Sequence, residues 1–182
     1  MPCPSVRPVP LVLAWIFLAA GITPATAFEL RHHGAHVHGV SDLDIAIDKG
    51  VVEVDIHGPG INFVGFEHAP RSDQEKQALA DATRTLQQPA SWLVFPDAAR
   101  CTLTSAKVAD AGKPDEDGHM DVSAHYRFTC ARPDAISGFD VGLLHAFPRT
   151  VKVNVDLVTP SGQGQATVDA NQSHVTVPGT SP

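Results

Sequence analysis

The 182-residue chain carries 20 acidic against 13 basic side chains, a formal charge of −7. That balance argues against nucleic acid, whose phosphates select basic surfaces, and modestly favours cations. With 43% hydrophobic side chains there is ample material for a buried core.

The elements follow in chain order. Residues 1–27 read as a secretory signal: Arg7 supplies a positive start, 11–22 is almost wholly apolar, and Ala25-Thr26-Ala27 fits the small-x-small cleavage pattern. An apolar run of about a dozen residues is too short to span a bilayer, which takes about 20. Cleavage after Ala27 leaves 28–182 as one domain, exported and not membrane-spanning, with 12 basic and 20 acidic side chains.

The leader gives way to four histidines in seven residues, His32-His33-Gly34-Ala35-His36-Val37-His38. His36 and His38 run into an alternating stretch, 37–48, that reads as a strand. Strand side chains alternate with period two, so the spacing predicts both imidazoles on one face. Neutral imidazole is the commonest protein metal ligand, which makes this pair half of a metal site. His32 and His33 add auxiliary binding at most.

Leu43, Ile45 and Ile47 alternate with Asp42, Asp44 and Asp48, and Val52, Val54 and Ile56 with Glu53, Asp55 and His57. Asp48-Lys49-Gly50 between them predicts a β-hairpin with one wet face, ended by Gly58-Pro59-Gly60. An apolar stretch, 61–70, closes on Glu67, His68 and Pro70. Ser72-x-x-Glu75 has the form of a capping box. Leu79, Ala82 and Leu86 follow on one helical stripe, so 72–87 is predicted as an amphipathic helix stopped by Pro89.

The second half returns to strands, expected at 101–109, 119–130, 139–147, 151–158, 164–169 and 174–177. The fold class is therefore mainly β, a β-rich α+β arrangement: a single antiparallel β domain with one amphipathic helix. Removing the leader leaves two cysteines, Cys101 and Cys130. An even count in an exported chain reads first as a disulfide, and each cysteine is in phase with the apolar face of its strand. Thiolate metal ligation is the rival reading.

Zinc takes about four ligands in a tetrahedron, so distant residues must return to meet the opening pair. His68 is one candidate, because it sits in a loop just before a helix. His119 is another, sharing strand parity with Asp121 and repeating the His36-x-His38 spacing. The metal-ligating candidates are thus His36, His38, His68, His119 and Asp121, with Glu67 as a supporting group and His57, His125, His145 and His174 carrying no motif. Met120 is the only methionine after the leader, which disfavours a thioether-rich Cu(I) site. Imidazole with carboxylate suits Zn(II), with Cu(II) and Ni(II) as rivals. No Gly-rich phosphate loop, Gly-x-Ser-x-Gly elbow or His-Glu-x-x-His helix is present, so the chain is not read as an enzyme.

Three stretches resemble the ZrgA-like periplasmic zinc-binding proteins of Gram-negative bacteria: His36-Val37-His38-Gly39 leading into Leu43-Asp44-Ile45-Ala46; Asn62 through Pro70 (NFVGFEHAP); and His119-Met120-Asp121 followed by Tyr126-Arg127-Phe128-Thr129-Cys130. The middle block is the most specific. The resemblance implies zinc (Zn2+) as the bound ion, a periplasmic location and a role in zinc capture or delivery beside an ABC-type importer. It also supports His36, His38, His68 and His119 as the metal-facing set. Members often carry a long His/Asp/Glu-rich central insertion; here only Lys113-Pro114-Asp115-Glu116-Asp117-Gly118-His119 stands in its place, so one compact site is expected. The alternatives are a metal-dependent hydrolase, a copper- or nickel-binding envelope protein, or an interaction module with incidental histidines.

Overall fold

The structure, a computed structural model, describes residues 37–109, 112–114 and 118–179. The leader and His32, His33 and His36 lie outside the described residues. Everything described belongs to one compact unit, Ala35–Pro182.

Strand β1 (Val40–Asp48) turns into β2 (Val51–Pro59) through Lys49 and Gly50, whose φ values of 46° and 82° are both positive. Two positive φ values define the hairpin turn whose twist matches the flanking strands. Glycine meets that demand freely, whereas Lys49 adopts it at some cost. A short helical turn, α1 (Gly60–Phe63), leads to the amphipathic helix α2 (Asp73–Leu86). The Ser72 hydroxyl accepts from the Glu75 amide while the Glu75 carboxylate accepts from the Ser72 amide, so the capping box forms as read.

Then come β3 (Leu93–Val94), β4 (Cys101–Ala109), β5 (Asp121–Cys130), β6 (Gly138–Val141), the turn α3 (Leu143–Ala146), β7 (Lys152–Thr159), β8 (Gly162–Val168) and β9 (His174–Thr176). The main sheet has the order β4-β5-β2-β1-β7-β8, and a smaller antiparallel sheet has the order β3-β6-β9. The fold is β-rich, as its alternation predicts.

Three details depart from the sequence reading. First, β1 pairs with β7 in parallel, from Val40 opposite Lys152 to Ala46 opposite Val158, while the other ladders of the sheet are antiparallel. A parallel neighbour needs a long crossover, which the whole stretch between β2 and β7 supplies. Second, β1 begins at Val40 and not Val37: Gly39, with φ 82°, breaks the extended run. Third, the strand expected over 139–147 stops at Val141. The Gly142 amide donates to the Trp92 carbonyl (2.6 Å) and the chain rolls into α3, which buries Leu143 completely.

One face of the main sheet is apolar and covered. Leu43, Ile45, Val52, Val54, Ile56, Val122, Tyr126, Val153 and Val155 are buried on it and join a single core with Leu86, Trp92, Phe139, Leu143 and Val175 from the elements packed above. Trp92 meets Tyr126 edge-on at 5.5 Å, and Phe95 meets Phe128 at 5.2 Å. Burial pushes the Tyr126 phenol well above its ordinary value, because its charged form has no solvation there. The other face carries the alternate, polar residues. At one end of the β4–β5 ladder a disulfide joins Cys101 to Cys130, which are direct register partners. Thiolate ligation is thereby closed off.

Candidate metal centre

Three segments far apart in sequence meet at the opposite end of that ladder. The first is the turn ahead of β1. Gly39 accepts at its carbonyl from the amides of Val151 (2.8 Å) and Lys152 (3.0 Å), which dock the turn on the start of β7. A β-carbon on Gly39 would lie 2.9 Å from Val151 Cγ2, and its φ of 82° is one that residues with a side chain rarely adopt. His38 therefore stands on a turn. The period-two argument for pairing it with His36 rests on a strand that has not yet begun.

The second segment is the loop after α1. Its two ends are stitched to one residue: the Gly60 amide donates to the Met120 carbonyl (2.7 Å) and the Met120 amide donates to the Glu67 carbonyl (2.8 Å). Met120 is fully buried, so the neighbours on either side of it, His119 and Asp121, are delivered beside this loop. They form the third segment.

Glu67 is where the segments converge. Its carboxylate is largely enclosed, with 17% of the side chain exposed. His38 Nε2 lies 3.1 Å from each of its oxygens. His119 Nδ1 lies 3.6 Å from Oε2, too long for a hydrogen bond but within ion-pair range. A tetrahedral zinc shell of radius 2.0–2.1 Å separates neighbouring donor atoms by about 3.3 Å. The two observed separations fall on either side of that spacing, and imidazole with carboxylate is a donor chemistry that suits a divalent ion. Among the described residues, no group of three or more His, Cys, Asp or Glu is already assembled for an ion. The arrangement consists of two contacts sharing a carboxylate, not a closed cage.

The remaining candidates are distributed differently. Asp121 faces His57, with Nε2 3.7 Å from Oδ2, and the register sets His57 opposite Asp42. His57 carries no motif and was passed over in the sequence; only the β2–β5 pairing brings it to Asp121. His68 turns toward α2. Its Nδ1 lies 3.0 Å from the Ala69 carbonyl, its ring stacks on Phe66, and Nε2 is 3.7 Å from Glu75 Oε1. Glu75 is itself committed to the helix cap: the amides of Arg71 and then Ser72 hold its carboxyl below the ordinary 4.5. His125 and His174 pair with Asp55 and Asp140, each at 2.9 Å, on separate parts of the two sheets. Glu67, rated only a supporting group from the sequence, is the residue that both imidazoles approach.

The structure is a β-rich protein in which His38 and His119 approach the carboxylate of Glu67 from separate segments. Compared with known families, residues 35–177 match the family described as ZrgA family zinc uptake protein, and the chain belongs to that family. No curated protein matches the chain. Among the described residues, no helix is long and apolar enough to cross a membrane.

Proposed function

We propose that this chain is a non-enzymatic, periplasmic zinc-binding protein that captures zinc or hands it on beside an ABC-type importer. The ion is the protein's cargo. Its ligands are His38, His119 and Glu67, with His36 supplied by the segment before the turn. Asp121, paired with His57, is the adjacent acid able to complete or orient the shell. His68 stands apart and would join only by turning Nε2 away from Glu75.

The observation that carries this reading is the approach of His38 and His119, 81 residues apart in the chain, to one enclosed carboxylate. Neutral imidazoles and an ionised carboxylate are what a borderline-soft divalent ion selects, and family membership points to zinc. Histidine ligands bind metal only when neutral, so protons compete with the ion, and affinity should fall as pH drops below about 6.5. Isothermal titration of the purified protein with zinc, at neutral and mildly acidic pH, tests the proposal. About one ion per chain, bound more weakly in acid and lost in His38→Ala, is expected. A stoichiometry near zero, or binding indifferent to His38 and His119, removes the reading.

A further inference from the structure

We infer that Asn62 is the positioning residue of this centre: its buried amide ties the turn that carries His38 to the loop that carries Glu67. The inference rests on the functional reading above and adds a residue to it that touches no ion. Asn62 lies in α1, and only 1% of its surface is exposed. Its Oδ1 accepts from the Gly39 amide at 2.7 Å, and its Nδ2 donates to the Val40 carbonyl at 2.7 Å and to Ser41 Oγ at 3.1 Å. One side chain thus satisfies three consecutive residues, beginning immediately after His38. Both N–H groups and the carbonyl of the amide are used, which neither a carboxylate nor a hydroxyl can reproduce.

The geometry gives this clamp a purpose beyond stability. Gly39 is held in a left-handed conformation, and its amide donates to the buried Asn62 side chain. With the amide bonded to Asn62, the direction in which His38 leaves the turn is set relative to α1. Five residues after Asn62 the same segment presents Glu67, whose own backbone is fixed by Met120. The distance between His38 and Glu67 is therefore controlled through Asn62, whereas His119 reaches Glu67 through Met120 and is independent of it. Partners that orient metal ligands are typically worth about 10- to 100-fold in metal affinity.

The test is a double-mutant cycle on zinc affinity, read by competition with a chromogenic chelator. Asn62→Ala should weaken zinc binding by about 10-fold or more in the otherwise unchanged protein. In a His38→Ala background the same substitution should cost less than about threefold, because its effect passes through His38. Against His119→Ala the cost should remain near its full value. Equal losses in all backgrounds, or unchanged affinity with only a lower melting temperature, would overturn the role given to Asn62. A failure of the unmodified protein to bind zinc would instead remove the functional reading itself. Should Asn62→Ala not fold, amide exchange in the unmodified protein decides: the Gly39 amide should be protected like the amides of β1, and rapid exchange there defeats the inference.

Discussion

Glu67 and Glu75 lie eight residues apart, each within reach of a histidine, yet they do different work. Both Glu75 partners besides His68 are backbone amides, Arg71 N at 2.6 Å and Ser72 N at 3.0 Å, and both bond to Oε2 in starting α2. Glu67 uses its backbone carbonyl to hold Met120, and its carboxylate meets the imidazoles of His38 and His119. A carboxylate bonded to amides is a structural fixture, because those donors cannot be exchanged without unravelling the chain. One that faces imidazoles can trade protons for a metal ion. The contrast separates a helix cap from a candidate centre more sharply than histidine content does.

The contrast can be broken by substitution. The largest effect expected is from Glu67→Gln, which keeps shape and hydrogen bonding but removes the charge: zinc affinity should fall by at least about 100-fold, the upper range seen for losing even a supporting group. In calorimetric titration Glu75→Gln should leave that affinity intact. Next, His38→Ala and His119→Ala should each weaken binding by at least about tenfold, while His68→Ala stays within about twofold; equal losses in all three would place His68 in the shell after all. On the stability side, Ser72→Ala removes the cap and should cost about 1 kcal/mol, or about 2–4 °C in melting temperature, with no change in zinc affinity.

The smallest effect sharpens the comparison by pH. The Glu75 carboxyl sits below its ordinary value of 4.5 in the folded protein. The unfolded chain therefore takes up the proton first, and the stability from this group is full above 4.5 and lost as pH falls through the lower folded value. A melting curve followed between pH 5 and 3 should show a loss that Glu75→Gln abolishes. Because the Glu75 side chain is half-buried and still reaches solvent, the shift in midpoint should be modest and reduced by salt.

Local chemistry was legible in the sequence, and long-range assembly was not. Ser72 and Glu75 announced α2 to within a residue, and Lys49-Gly50 announced the hairpin, because each of these signals is complete within a few positions. The strands were expected at 101–109 and 119–130, the second from its alternation; it begins two residues later, at Asp121, so His119 precedes the strand, and the cysteines pair as their even count and parity suggest. The strand projected over 139–147 failed because an apolar run without alternation does not distinguish a strand from a buried helical turn. The parallel pairing of β1 with β7 had no signature, since both strands look alike whichever neighbour they take.

The same division holds at the centre. His38 and His119 stood out by residue type, but Glu67 gave no such sign. Its importance comes from Met120, whose backbone grips both ends of the 60–67 loop from the start of the neighbouring strand, about 55 positions on in sequence. His57 meets Asp121 only through the β2–β5 register. His38 was assigned to a strand because the positive φ of Gly39 depends on Val151 and Asn62, which lie about 110 and 20 positions away.

Strand β5 runs from Asp121, beside the candidate centre, to Cys130, nine residues on and about 30 Å away at strand spacing. Sulfur chemistry and cation chemistry are thus kept at opposite tips of one rigid strut. A reductant that opens the bridge would loosen the end remote from Glu67, and the proposed ion site, if filled, lies a strand's length from both sulfurs of that bridge.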